Sequence, residues 1–342
     1  MKLLITGASG FLGQYVVAEA LRRGHQVRAT VRSASSLPWH NHPSLELARV
    51  DLQRQETLAA AVRGVDAVIH LAATLRGDFQ TQYAGTVTAT ENLLNAMQVA
   101  QVDRLIAVSS FSVFDYLKVP ANGVMDEDSP LESAPARRDA YAQTKLLQES
   151  LVRQFGQADG SHPHGKVTVL RPGMIYGREH LWNAHVGMKA GNRLWLQIGA
   201  DGQMPLTYVE NCAAAIVMAA EREEAIGQTL NIIDDDLPTQ TVFVQTLIQH
   251  MPAAPIVVPI HWIVLLLLAQ PLWQINTRLL QGKLKFPGLL VPARLHARFK
   301  PLRYRNIRAK QVLGWKPKYG FDEAIDRSCG TADLLAVPVQ TN

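Results

Sequence analysis

The chain has 342 residues, 47% of them hydrophobic and 18% charged, a net charge of +5 and two cysteines, Cys212 and Cys329. This composition describes a globular α/β protein of one large domain or two interleaved ones and excludes a disordered chain. Two cysteines exclude a disulfide framework and suit a reducing compartment, and neither an internal repeat nor a low-complexity tract is present.

Leu3-Leu4-Ile5 reads as a buried strand, and Gly7, Gly10 and Gly13 follow at spacings of three. Gln14 to Arg23 then reads as a helix with Tyr15, Val16, Val17, Ala20 and Leu21 on its buried face. In a strand–turn–helix unit each glycine has a task. Gly7 permits the turn off the strand, Gly10 lets a pyrophosphate approach the backbone, and Gly13 lets the helix pack close. The helix N-terminus offers free N–H groups and a positive dipole end to phosphates. Because the first strand begins at the N-terminus, no signal peptide is expected and the expected location is cytoplasmic.

Gln26 to Arg32 reads as the second strand, and its end meets the adenosine ribose in a dinucleotide fold. An acid there would favour NAD. Val31 and Arg32 occupy the place instead, and a guanidinium suits a 2′-phosphate, so NADP is expected with NAD as the lesser choice. Leu45 to Val50 is the third strand. Asp51, before Leu52, stands to accept from the adenine amino group or to cap the helix starting near Gln55. Ala67 to Ala73 is a fourth buried strand whose small residues leave room for a flat ring, and His70 reads as a packed strand histidine. A helix is expected from Ala84 to Ala100 and a fifth strand over Leu105–Val108.

That strand runs into Ser109-Ser110-Phe111-Ser112, and Tyr141-Ala142-Gln143-Thr144-Lys145 follows. Tyr141 and Lys145 at i and i+4 share a helix face. An ammonium beside a phenol favours the phenolate, so Lys145 is expected to lower the Tyr141 pKa and make it a proton donor or acceptor near neutral pH. A serine hydroxyl at the strand end would hold the substrate oxygen.

These residues carry a resemblance. Thr6-Gly7-Ala8-Ser9-Gly10-Phe11-Leu12-Gly13, Asp51-Leu52, His70-Leu71-Ala72-Ala73, Ser109-Ser110 and Tyr141 with Lys145 match the extended short-chain dehydrogenase/reductases in order and spacing. Arg171 to Gly177 resembles that family's RPxxxYG, Tyr208-Val209-Glu210-Asn211 its YVxN, and Leu313-Gly314-Trp315-Lys316-Pro317 its LGxxP. The resemblance implies Ser110, Tyr141 and Lys145 as catalytic residues, with Ser109 and Ser112 as other candidates for the serine. It implies a cofactor held by Gly7, Ser9, Gly10, Phe11, Leu12, Gly13, Arg32, Asp51, Leu52, Leu71, Ala72, Ala73, Tyr141, Lys145, Pro172 and Ile175. It implies a substrate against Phe111, Met174, Tyr176 and Tyr208, and no metal. Thr86 stands where the family usually carries an Asn that supports the lysine through water, so this chain departs from the family's proton relay at that position and offers a hydroxyl instead.

Ser112-Val113-Phe114 lacks the Asp-Glu pair of sugar-nucleotide dehydratases, and Met174 replaces the Asn with which sugar-nucleotide epimerases hold a diphosphate. A thioether cannot donate to phosphate. Pro172-Gly173-Met174 is closer to the 3β-hydroxysteroid dehydrogenase and dihydroflavonol 4-reductase branches, and Val27 to Arg32 resembles the NADP-using reductases. The expected activity is the interconversion of a secondary alcohol and a ketone on an apolar, sterol-like or long-chain substrate. A sugar-nucleotide epimerase and a non-catalytic dinucleotide sensor are the alternatives.

The implied fold is a Rossmann-type doubly wound parallel sheet over 1–172, with a returning segment at about 206–235. A smaller, mostly helical substrate lobe is expected over 173–205 and 236–330, followed by a tail at 331–342. The site would lie between the two. Between Leu237 and Phe321 there is no Asp or Glu but twelve Lys and Arg, so the rest of the chain is net negative. The apolar run Ile256–Ala269 precedes all of them, too short to span a bilayer. It reads either as a core helix lining an apolar pocket or as a segment dipping into the headgroup region of an anionic membrane. No nucleic-acid reading motif is present. The expected partners are therefore a small-molecule substrate, an anionic membrane surface at its cytoplasmic face, and a second copy of the chain.

Overall fold

Leu3, Leu4 and Ile5 are fully buried because the strand they form, β1 (Lys2–Thr6), is flanked on both edges by parallel strands and covered on both faces. A computed structural model describes residues 1–32, 40–157, 165–182, 185–190, 193–199, 201–251, 253–279, 281, 288–330 and 332–335.

Helix α1 (Phe11–Arg22) follows the glycine turn and packs Tyr15, Val16, Val17, Ala20 and Leu21 inward, as the sequence implies. The next elements are β2 (Gln26–Val31), β3 (Leu45–Arg49), the short α2 (Leu58–Val62) and β4 (Ala67–His70). The fourth strand thus ends at His70, and Leu71 to Ala73 form the loop that caps the sheet. The helix expected from Ala84 is built of three pieces. These are α3 (Phe79–Tyr83), a π turn at Ala84–Thr88 and α4 (Ala89–Ala100). Then come β5 (Arg104–Val108), β6 (Val124–Met125) and α5 (Ala140–Phe155), whose N-cap Asp139 accepts from the Ala142 N–H. Strand β7 (Lys166–Pro172) follows.

The remaining chain interleaves small elements with a return to the large sheet. It comprises β8 (Met174–Tyr176), β9 (Gly187–Ala190), β10 (Leu194–Ile198), β11 (Leu206–Tyr208), α6 (Val209–Glu221) and β12 (Thr229–Ile232). After these come α7 (Gln240–Gln249), β13 (Ile256–Ile260), α8 (Trp262–Arg278), α9 (Pro292–Phe299), β14 (Arg303–Tyr304), α10 (Ile307–Leu313) and α11 (Phe321–Cys329).

The large sheet has seven parallel strands in the order β12-β7-β5-β4-β1-β2-β3. The order reverses direction between β1 and β4, the point at which doubly wound sheets bind ligands at their carboxyl ends. Strand β12 pairs with β7 and so returns to the sheet as expected. Helices α1 and α6 pack against each other over one face, while α2, α4 and α5 cover the other with Val62, Leu93, Leu94, Met97 and Val152. The lobe is helical but also contains a three-stranded sheet, β13-β10-β9. The run Ile256–Ala269 is therefore a strand followed by a helix. Pro259 lacks a donor, which an edge strand such as β13 tolerates.

Asn211 ties the C-terminal segment down. Its amide donates to Asp234 and to the Tyr319 carbonyl, and its carbonyl oxygen accepts from the N–H groups of Lys318 and Tyr319. Cys212 is buried, Cys329 is exposed and both are free thiols. Lys283 and Lys285 of the basic span, and most of the 331–342 tail, lie outside the described residues.

Candidate active site

A cleft of about 1080 Å³ opens at the carboxyl ends of β1, β2, β4 and β5. Its floor is the glycine turn. Gly7 sits at φ +71°, where a side chain is strained, and a Cβ there would come within 2.9 Å of the Ala72 amide. A Cβ on Gly13 would run into the Gly7 carbonyl, so the helix approaches the turn as closely as backbone allows. No side chain caps α1, whose N-cap is Gly10 and whose first turn holds no acid. The first-turn amides thus face the cleft ready for an anion.

Thr6 fastens the turn to the neighbouring strand end. Its Oγ1 bonds the His70 Nδ1 at 2.7 Å and accepts from the N–H groups of Leu71 and Ala72. His70 is buried, and burial followed by the Lys145 charge pushes its pKa down to about 3, so it is neutral. It packs as a strand histidine should, with Nε2 against Thr90 Oγ1 at 2.9 Å.

Ser109 and Ser110 continue β5 but face different surroundings. The Ser109 hydroxyl donates to buried Glu149 at 2.6 Å, which commits it to the scaffold. Ser110 Oγ accepts from the Ser112 N–H at 3.1 Å, and its hydroxyl lies near enough to the Tyr141 phenol to pull that pKa down, so it is the serine that shares the cleft with the tyrosine. Ser112 Oγ is buried without a partner and also lines the cleft, which keeps it available to a polar group of the substrate.

Tyr141 and Lys145 lie one turn apart on α5. The ammonium is not turned to the phenol. Lys145 Nζ donates to the Val108 carbonyl at 2.9 Å and to Gln148 Oε1 at 2.8 Å. The expectation that Lys145 lowers the Tyr141 pKa is thus not met in the free chain. Burial raises that pKa, the Ser110 hydroxyl opposes the rise, and Asp139 adds to it. Burial also lowers the Lys145 pKa to about 8, against the pull of Glu149.

Thr86, which stands in place of the family's Asn, accepts from the Thr74 N–H at 3.0 Å and so fixes the cleft wall. Support for the lysine comes from Gln148, whose amide nitrogen donates to Thr90 Oγ1 at 3.0 Å and lies 3.2 Å from the His70 Nε2. A buried polar chain thereby links Thr6, His70, Thr90, Gln148 and Lys145. Sequence reading missed Gln148 and Glu149, although positions i+7 and i+8 from Tyr141 on one helix face were the available signal.

Every residue assigned to the cofactor lines the cleft: Gly7, Ser9, Gly10, Phe11, Leu12, Gly13, Arg32, Asp51, Leu52, Leu71, Ala72, Ala73, Pro172 and Ile175, together with Tyr141 and Lys145. Arg32 is exposed at its rim and has no carboxylate partner among the described residues. The first acid after it in the chain, Glu46, is engaged with Lys2 and Arg28. Asp51 lines the cleft and also accepts from the Gln53 N–H, closing a turn before the short helix rather than capping the helix itself. The cradle, the free amides and the lone Arg32 fit a dinucleotide.

Of the substrate assignments, Phe111 and Met174 line the cleft and Tyr176 and Tyr208 do not. Both tyrosines are core residues, 1% and 0% exposed. Tyr176 packs against Tyr208, Phe243 and Phe321, and the Tyr208 hydroxyl donates to Glu210 at 2.7 Å, itself paired with Arg327. In their place α9 contributes Arg294, Ala297 and Arg298, which no motif had marked.

A family model described as the NAD dependent epimerase/dehydratase family matches residues 3–232. The 3 beta-hydroxysteroid dehydrogenase/Delta 5-->4-isomerase of Mycobacterium tuberculosis is 27% identical over 95% of this chain and 88% of its own. The 3-beta-hydroxysteroid dehydrogenase of Mycolicibacterium neoaurum is 31% identical over 64% of this chain and 61% of its own. Among solved structures, a short-chain dehydrogenase/reductase superfamily protein from Agrobacterium tumefaciens with bound NAD superimposes with a TM-score of 0.70 at 20% identity, over 96% of each chain. That likeness speaks for the fold.

Proposed function

The chain belongs to the NAD dependent epimerase/dehydratase family and is an NAD(P)-dependent dehydrogenase/reductase, and we propose that it uses NADP(H) to interconvert a secondary alcohol and a ketone on an apolar, sterol-like or long-chain substrate. The observation that carries this reading is one cleft in which the glycine cradle, the neighbouring Ser110 and Tyr141 hydroxyls and buried Lys145 meet beside Phe111 and Met174. A protein that only sensed a dinucleotide would need the cradle alone. In this reading residues 1–172 and 206–235 form the cofactor domain, 173–205 and 236–330 the substrate lobe, and 331–342 a tail. In the same reading the chain works in the cytoplasm against the inner face of a membrane and pairs as a homodimer.

A bound nicotinamide supplies or accepts the hydride. In reduction, Ser110 and Tyr141 hold the carbonyl oxygen and Tyr141 gives it a proton. A raised phenol pKa suits that direction, because it keeps the proton on Tyr141 at neutral pH. Lys145, anchored by Val108 and Gln148, is the buried cation that would hold the nicotinamide ribose.

Arg32 is the proposed reader of the 2′-phosphate. A charge-assisted contact of this kind contributes about 1.5–3 kcal/mol, so Arg32→Ala is expected to weaken NADPH about ten- to a hundred-fold and NADH much less. Fluorescence titration of both cofactors checks it, and equal losses would refute the assignment.

One observation favours the epimerase as a second reading: Arg294 and Arg298 place two guanidinium groups on the cleft wall, where an anionic substrate group would meet them. Nicotinamide absorbance, followed with 3β-hydroxysterols, long-chain secondary alcohols and, in a product assay, UDP-sugars, separates the two. Turnover of sterols or long-chain alcohols supports the dehydrogenase; epimerisation of a UDP-sugar with no net cofactor reduction overturns it.

A further inference from the structure

Helix α8 is apolar on two opposite faces. Trp262, Ala269 and Asn276, spaced by seven, are its buried residues, and its inner side packs on α9 and on the turn Gly288–Leu290. A surface helix then turns polar residues outward. Here the outward arc consists of Ile263, Val264, Leu267, Leu268, Leu272 and Ile275, each between 41% and 66% exposed. Exposed polar residues enter only in its C-terminal half, at Gln270, Gln274, Thr277 and Arg278. Isolated exposed leucines need no explanation, but a continuous aliphatic arc of this length does.

The surroundings select the occupant. Helix α8, α9 and the turn between them lie inside the stretch from Leu237 to Phe321 that has no carboxylate side chain. Arg278 is exposed on the edge of the arc. Arg137, also exposed, borders a cavity of about 250 Å³ together with Gln270, Trp273 and Gln274 of the same helix. Neither arginine has a carboxylate partner among the described residues. An aliphatic arc edged by free cations complements an anionic bilayer, with the arc among the acyl chains and the cations at the phosphates. The helix spans about 25 Å at 1.5 Å per residue and contains Pro271, and among the described residues no helix is long and apolar enough to cross a membrane. It fits the plane of the interface.

We propose that α8 is a monotopic membrane-docking helix that seats the substrate lobe on anionic lipid. Helix α9, on which α8 packs, contributes Arg294, Ala297 and Arg298 to the cleft, so docking brings the substrate side of the cleft to the bilayer surface. An apolar substrate could then reach the cleft without crossing bulk water. Only this last step rests on the proposed substrate class; the docking itself does not.

The test is co-sedimentation of the full chain, without substrate or cofactor, with vesicles of pure phosphatidylcholine or with added phosphatidylglycerol. Wild type is expected to sediment with the anionic vesicles at low salt, and less so at high salt. The double substitution Leu267→Gln, Leu268→Gln is expected to lower partitioning about tenfold or more, since each removed leucine forfeits apolar burial. Arg278→Glu, a smaller change that leaves the arc intact, should lower it specifically for anionic vesicles. NADPH titration of each variant reports folding, because α8 contributes nothing to the cleft. A wild type left in the supernatant, or vesicle binding unmoved by both variants, overturns the proposal. So does a wild-type dimer on size exclusion that Leu267→Gln, Leu268→Gln converts to monomer with no change in vesicle binding, since the face would then cover a second copy of the chain. Loss of sterol turnover with vesicle binding intact would instead strike the substrate reading alone.

Discussion

Tyr141→Phe is expected to lower kcat by roughly 10²–10⁴-fold, the range spanned by a positioned proton donor, while NADPH binding is kept. The ring fills the same space, and Lys145 is held by Val108 and Gln148 rather than by the phenol, so the cofactor side of the site should be undisturbed. The hydroxyl alone is lost, and with it the proton and half of the clamp that Ser110 and Tyr141 place on the substrate oxygen. Direction enters through the pKa. Burial raises the Tyr141 phenol, so the acid form persists through neutral pH and the reductive kcat should be flat there, falling only as pH passes the raised value. The oxidative kcat needs the deprotonated form and should climb with pH over the same interval. Stopped-flow and steady-state rates in both directions check this. A Tyr141→Phe enzyme with near wild-type kcat, or an oxidative rate that falls with rising pH, would sink the assignment.

The parts of this protein that sequence showed best are those in which local chemistry and tertiary position coincide. Gly7 and Gly13 announced the cradle because only glycine meets their backbone demands, and the same residues are the ones a Cβ would disrupt. Buried parallel strands read as apolar runs, so β1, β4 and β5 were visible within a few residues of their ends. The lobe was harder for a physical reason. Tyr176 and Tyr208 look like substrate residues when only their motifs are considered, yet their fate was decided by Phe243 and Phe321 against Tyr176 and by Tyr319 against Tyr208, which arrive from distant parts of the chain. The run from Ile256 has no periodicity to separate a strand from a helix, and the break falls at His261, whose ring accepts from the Ile263 N–H to start α8. Tyr141 and Lys145 were found by spacing. Which way the ammonium points could not be, because it depends on the Val108 carbonyl and on Gln148.

The second large effect is expected at Glu149, where the catalytic helix is locked to the sheet. Its carboxylate receives Arg171 Nη2 at 2.5 Å and Nε at 3.1 Å, the Ser109 hydroxyl at 2.6 Å and Arg153 at 2.8 Å. Arg171 and Glu149 are each 2% exposed, and the Arg171 guanidinium also lies 4.8 Å over the Phe114 ring. Removing one partner takes from the other its buried counter-charge, which costs about 3–5 kcal/mol; for Glu149 the remaining Arg153 is 42% exposed and replaces it only in part. Glu149→Leu and Arg171→Leu should each lower the stability from urea unfolding by that amount, and kcat with it, since Glu149 lies one turn beyond Lys145 on the helix that carries Tyr141. The double variant should be less destabilised than the two single losses together, because neither charge is then stranded. The pH dependence has a definite sign. Burial raises the Glu149 pKa, but Arg171, Ser109 and Arg153 pull it further down, so the folded value lies below the unfolded one. Its contribution is therefore present above the unfolded carboxyl pKa and is lost as pH falls through the folded one. Glu149→Leu should remove that part of the acid sensitivity, whereas single variants whose losses simply add would show that the pair is not coupled and that α5 is held by its apolar face alone.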